Sequence, residues 1–316
     1  MPRRTPLILT LVLTLTAGCS PTATPAPNPS APAAGAPASS ASAPTSLATP
    51  PGSSRAPAGS SGLATRAAPA DDLPIASREL DLQRGQDRPL PTTVWYPTAG
   101  PKPFPLIVFS HGLTSEPEAY ATILEAWARA GFVVAAPKFP HTKYRAEDYD
   151  PLDVINQPAD VSEVITRMLA YGREHDGLID PSRIAAAGHS AGGITTVGLF
   201  SGTRDKRLTA GVVLSGRQVL PVPFQGAPAP MLFVHGKLDK TVPYADGKAT
   251  FDAVRWPKAL LTVTEGGHVA LTKDFAPVIA TTTDFLRYAL YGDASARKRL
   301  KKDATRGGLA TLTDDL

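Results

Sequence analysis

Ile184-Ala185-Ala186-Ala187-Gly188-His189-Ser190-Ala191-Gly192-Gly193 decides the reading of this chain. A short apolar run enters G-x-S-x-G and leaves it at once into a second apolar stretch, Ala191 to Phe200. That order predicts a strand, a sharp turn and a helix. A serine between glycines fits such a turn because only small neighbours leave room for the backbone to reverse. The turn lifts the hydroxyl above the sheet edge. The helix N-terminus beneath it favours negative charge developing there.

The same rhythm continues on both sides. Strands are expected at Thr92–Tyr96, Leu106–Ser110, Phe132–Ala136, Ile184–Gly188, Ala210–Ser215, Met231–His235 and Leu260–Thr264. Helices are expected at Ala119–Ala130, Pro158–His175, Ala191–Phe200 and Phe275–Tyr291, with a short basic surface helix after Tyr291. In the second of these, Val161, Val164, Ile165, Met168 and Leu169 share one face. Alternating strands and helices predict an α/β fold, with a mostly parallel central sheet covered on both faces. Only a short Pro-rich connection separates Ser215 from Met231, so no large lid domain is expected and the site should be open.

A serine hydroxyl is a weak nucleophile at neutral pH and needs a base. Of six histidines, His268 stands where the last strand gives way to the last helix, in Glu265-Gly266-Gly267-His268. His111 and His235 end strands and precede glycine, a structural placement. His189 neighbours the serine but should point away from it. His141 lies on a loop that could line the cleft, and His175 at a helix end. The base needs an acid to hold its tautomer. Asp239, just past the Met231–His235 strand, is favoured over Asp246 and Glu265. Two backbone N–H groups should receive the oxyanion, those of Leu113 (in His111-Gly112-Leu113-Thr114) and Ala191. The catalytic set expected is thus Ser190, Asp239 and His268, in that chain order.

The N-terminus reads differently. Arg3 and Arg4 precede an apolar run, Leu7–Leu15, too short to span a bilayer comfortably. Thr16-Ala17-Gly18-Cys19 follows, resembling a lipobox with Thr16 in place of the usual apolar residue. Residues 1–18 are read as a signal peptide and Cys19, the one cysteine of the chain, as a lipidation site anchoring the protein to a membrane. Residues 19–72 are rich in Ala, Pro and Ser and cannot bury enough apolar surface to order themselves, so they are read as a linker. Residues 73–316 form the catalytic domain.

Net charge is +4 over 316 residues, and no basic stripe is interleaved with aromatics, so no nucleic-acid partner is expected. No zinc spacing and no phosphate-cradling loop is present; neither metal nor cofactor is expected. A monomer is expected.

Leu73 to Tyr291 resembles bacterial α/β-hydrolases related to dienelactone hydrolase, chlorophyllase, platelet-activating-factor acetylhydrolase and the cutinase group. The resemblance is carried by Pro91-Thr92-Thr93-Val94-Trp95-Tyr96-Pro97, Phe109-Ser110-His111-Gly112, Asp153-Val154-Ile155-Asn156-Gln157-Pro158-Ala159-Asp160-Val161 and Gly188–Gly193, completed by Asp239 and His268. It implies the α/β-hydrolase fold and a serine carboxylic-ester hydrolase. Three features depart from parts of the group: Ser rather than Cys is the nucleophile, Leu113 stands where the polyester hydrolases carry an aromatic residue, and one cysteine forbids a C-terminal disulfide; the substrate expected is a small-molecule or polymeric ester. An amidase or peptidase on the same fold, and a non-catalytic cell-envelope binding lipoprotein, stand as alternatives.

Overall fold

The structure, a computed structural model, describes residues 67–268 and 276–316. The residues read as a signal peptide, Cys19 and residues 20–66 of the stretch read as a linker lie outside the described residues, as does Phe275. The described chain falls within one compact unit, Ser60–Leu316. It is held from its start: Ala68 packs on the core and the Pro69 carbonyl accepts from the Arg287 guanidinium.

Among the described residues, nine strands form one sheet: β1 Ile75–Arg84, β2 Arg88–Pro97, β3 Phe104–Ser110, β4 Val133–Pro137, β5 Ile179–His189, β6 Leu208–Leu214, β7 Met231–Gly236, β8 Lys258–Val263 and β9 Ala310–Asp315. Their order is β1-β2-β4-β3-β5-β6-β7-β8-β9. Pairings from β4 to β8 are parallel; β1–β2, β2–β4 and β8–β9 are antiparallel. Six α-helices among the described residues pack on it: α1 Ala121–Arg129, α2 Gln157–Glu174, α3 Ala191–Phe200, α4 Tyr244–Ala253, α5 Ala276–Leu286 and α6 Ala294–Ala304. This is the α/β-hydrolase fold.

Central strands are apolar without alternation because both faces are covered. In β3, Ile107 and Phe109 point into a core shared with Trp127 of α1 and Phe285 of α5. Leu106 and Val108 point into the opposite core, with Met168 of α2 and Phe200 of α3. β4 divides the same way, Val134 and Ala136 against Val133 and Ala135. α3 is buried nearly all round, which explains its lack of a polar face.

Three features go beyond the sequence expectation. The sheet gains an antiparallel strand at each edge, β1 and β9. β2 pairs with β4 over Thr92–Trp95, nearly the whole length of the short β4, and the Pro91 carbonyl accepts from the Lys138 amide just beyond. The basic segment after Tyr291 is a helix as expected, but not a free surface one. Ala296, Leu300 and Ala304 are fully buried. Arg297 forks onto Asp314, Arg299 bonds Asp284 and Arg306 bonds Asp303, so much of that charge is structural.

A buried ionic clamp ties the β1–β2 hairpin to the start of α2. Arg88 bonds both Asp153 and Asp160, and Arg84 bonds Asp160. This fixes the short 3₁₀ turn Pro151–Ile155 on the rim of the cleft. Residues 215–230, between β6 and β7, contain neither helix nor strand.

Candidate active site

Ser190 sits between β5 and α3 with φ 56° and ψ −119°. A non-glycine residue rarely adopts this conformation, and it persists only where its surroundings enforce it. Here they do. A Cβ at Gly188 would stand 2.1 Å from the Gly192 carbonyl oxygen, and one at Gly192 would stand 1.9 Å from that of Ser110. Gly112 approaches from the side: a Cβ there would lie 3.2 Å from Ser190 Cβ.

The structure brings Ser190, His268 and Asp239 together. His268 Nε2 is 2.8 Å from Ser190 Oγ, and Nδ1 is 2.8 Å from Asp239 Oδ2. A carboxylate only accepts, so Nδ1 carries the proton and Nε2 presents its lone pair to the serine O–H. The other oxygen, Asp239 Oδ1, accepts from the Thr241 and Val242 amides at 2.8 and 2.9 Å. His235 Nε2 lies 3.4 Å from Oδ2 while donating to the Val242 carbonyl. Burial would raise the Asp239 carboxyl, but hydrogen bonds from His235, His268 and Val242 outweigh it and hold it well below the usual carboxylate range. The loop carrying His268 is pinned to the one carrying Asp239: the Leu238 amide donates to the Gly266 carbonyl, and Gly236 packs against the carbonyls of Gly266 and Gly267.

The rival acids lie elsewhere. Asp246 is on α4 and pairs with Arg217; Glu265 is exposed. His235 is buried beside Asp239, His141 lies on its loop with Nδ1 against the Asp148 carbonyl, and His175 stacks on Tyr171. Leu113 follows Gly112 beside the serine, and Ala191 opens α3. Among the described residues, no group of three His, Cys, Asp or Glu could hold a metal ion.

Two buried histidines brace the loops around the serine. Phe139 N–H donates to His111 Nε2, so His111 Nδ1–H donates to the Gly112 carbonyl. His189 does point away from the serine, and it has a task that the sequence does not disclose. Its Nε2 lies 3.0 Å from the His268 carbonyl, which can only accept, so Nε2 is protonated and Nδ1 accepts from Tyr120 O–H at 3.0 Å. Tyr120 in turn accepts from the Gly112 amide at 3.1 Å. Every donor and acceptor in this chain is assigned, and it joins the backbone at Gly112 to the backbone at His268. Only spatial proximity reveals it: Tyr120 and His189 are 69 positions apart.

Burial pushes both His111 and His189 from 6.5 down to about 4. The unfolded chain therefore binds more protons between pH 6.5 and 4, and stability falls on acidification through that window. The contribution is complete above pH 6.5 and lost below 4, at roughly 3 kcal/mol per histidine. Asp284, raised by burial, works in the opposite direction, so the test is a difference. The stability gap between wild type and His189→Asn should close as pH falls from 7 to 4, read from urea midpoints. Parallel pH profiles would contradict the assignment.

A family model described as chlorophyllase matches residues 72–219, a span that holds Leu113 and Ser190 but ends before Asp239 and His268. The Bacillus subtilis (strain 168) protein named "Putative esterase YitV" is 29% identical over 194 residues, covering 48% of this chain and 74% of that protein. Together with the fold, these likenesses support an esterase-like hydrolase of the α/β-hydrolase type.

Proposed function

We propose that the protein is a serine carboxylic-ester hydrolase, exported and anchored to a membrane through lipid on Cys19. The observation that carries the catalytic reading is the hydrogen-bonded line from Ser190 Oγ through His268 to Asp239, 2.8 Å at each link, on a serine held in strained backbone. Ser190 Oγ attacks the ester carbonyl carbon as His268 Nε2 takes its proton. The N–H groups of Leu113 and Ala191 receive the oxyanion. Collapse breaks the bond to the alcohol oxygen, which takes the proton from His268. Water then attacks the acyl-serine, again giving its proton to His268, and Ser190 is restored as the acid leaves.

A fluorophosphonate probe tests this. Expected is one covalent adduct on the peptide containing Ser190, with parallel loss of p-nitrophenyl acetate hydrolysis. Folded protein that stays unlabelled would favour the non-catalytic binding role.

The anchoring rests on Arg3-Arg4, the apolar run Leu7–Leu15 and Ala17-Gly18-Cys19. In a bacterial host fed labelled palmitate, wild type should carry the label in its membrane fraction and Cys19→Ser should not. Label retained by Cys19→Ser would overturn the anchoring without touching the chemistry.

A further inference from the structure

The two proposed oxyanion donors are placed in different ways. Ala191 follows Ser190 directly, so the chain itself holds its N–H beside the nucleophile. Leu113 comes from the loop after β3 and needs fixing of its own. Its N–H belongs to the peptide that joins it to Gly112, and glycine tolerates more backbone conformations than any other residue. Unrestrained, that peptide could turn its N–H away from the serine.

Gly112 is restrained at both of its polar groups. Its N–H donates to Tyr120 Oη at 3.1 Å, and its carbonyl accepts from His111 Nδ1 at 2.8 Å. The peptide from Gly112 to Leu113 is trans, so the Leu113 N–H points opposite to the carbonyl that His111 holds. The next amide is also engaged, Thr114 N–H donating to the Thr142 carbonyl at 2.7 Å. Between these two bonded amides, the Leu113 N–H donates to no group among the described residues, as suits a donor kept for an incoming oxygen.

The far end of the same line is the base. Tyr120 O–H donates to His189 Nδ1, and His189 Nε2 donates to the carbonyl of His268, each at 3.0 Å. Among the described residues, the hydrogen bonds of Ser190, His268 and Asp239 to one another do not reach the Leu113 loop; the Tyr120–His189 line does. It runs beside the nucleophile: a Cβ at Gly112 would meet Ser190 Cβ and Tyr120 Oη at 3.2 Å and His189 Nδ1 at 3.4 Å. Tyr120 and His189 are both buried, so bulk water does not compete for these bonds. Burial also holds His189 down at about 4, so it stays neutral, with one nitrogen to donate and one to accept.

We propose that Tyr120 and His189 act as one positioning device, holding the Leu113 N–H and the His268 imidazole in register so that both engage the same ester group. This deepens the reading of Ser190 as a catalytic nucleophile and rests on it. Neither residue touches the reacting atoms; each acts through the backbone it bonds. Register matters because donor and base must serve one tetrahedral intermediate, and a misplacement of about 1 Å costs on the order of a hundredfold.

Tyr120→Phe and His189→Phe test this, singly and together, on p-nitrophenyl butyrate. Tyr120→Phe removes one oxygen and keeps the ring that packs on Phe109, 4.8 Å between centroids, so it should fold, as its urea midpoint will show. It leaves the Gly112 N–H and His189 Nδ1 buried and unpaired. Its kcat should fall about thirtyfold with KM within about twofold, short of the roughly 10² to 10³ that deleting an oxyanion donor costs. Affinity for phenylboronic acid, which forms a tetrahedral adduct on Ser190 Oγ, should fall in step with kcat/KM. Both single changes break one line, so the double variant should lose little more than the worse single. Should a His189→Phe protein fail to fold, the kcat and boronic-acid affinity of Tyr120→Phe decide alone. Losses that multiply in the double variant, a Tyr120→Phe kcat within about threefold of wild type, or a loss carried by KM would each overturn the proposal. Those outcomes leave the nucleophile reading standing while wild type hydrolyses esters and takes the fluorophosphonate. If wild type does neither, the nucleophile reading fails and the positioning role falls with it.

Discussion

Ser190→Ala should lower kcat on p-nitrophenyl butyrate by about 10⁶, leaving only the residual rate that substrate binding and the oxyanion donors supply. The expectation is this large because nothing nearby can substitute. Ser110 ends β3 and Ser215 follows β6, but both are buried and their hydroxyls have no hydrogen-bond partner. Neither is bonded to His268, and an unactivated hydroxyl is a poor nucleophile. The variant should stay folded. Alanine loses only the hydroxyl, and the backbone at position 190 is held by Gly112, Gly188 and Gly192, which the change does not touch. KM should change little and fluorophosphonate labelling should vanish. If Ser190→Ala kept more than a tenth of the wild-type rate, Ser190 would not be the nucleophile.

How much of this was open to a reader of the sequence depends on which physical signal each part leaves. The parallel strands were legible because burial on both faces makes them continuously apolar: β3 is Phe104-Pro105-Leu106-Ile107-Val108-Phe109-Ser110, buried throughout. β1 and β9 were not. β1 interleaves Arg78, Glu79 and Asp81 with half-buried positions, and β9 is short and ends in two aspartates. An edge strand partnered on one side needs little apolar patterning, so periodicity passes it over. In the site, the strand-end positions of Ser190, Asp239 and His268 could be read from chain order. The Tyr120–His189 chain could not, because Tyr120 ends the short turn before α1 and His189 ends β5, two places far apart in the sequence. The basic segment after Tyr291 was legible as a helix, but its partners are set by tertiary packing: Asp314 by the pairing of β9 with β8, and Asp284 by its place on the neighbouring α5.

Asp239→Asn carries the second large effect, a loss in kcat of about 10⁴. Its cause is the tautomer rather than charge alone. Asp239 Oδ1 already accepts two backbone N–H groups, from Thr241 and Val242. An asparagine keeps its carbonyl oxygen there, since its amide nitrogen would clash with both donors. The NH₂ group then faces His268 Nδ1, where the carboxylate oxygen had been. Nδ1 must become the acceptor, so the proton moves to Nε2, the atom 2.8 Å from Ser190 Oγ. His268 then offers the serine a donor instead of a lone pair, and the proton has nowhere to go. Because the two amide hydrogen bonds survive, the loop carrying residue 239 should keep its shape. Stability in urea should therefore fall far less than activity, and nitrogen-15 chemical shifts of His268 should report the exchanged tautomer. A loss below tenfold, or an unchanged tautomer in a folded variant, would remove Asp239 from the proposed catalytic line.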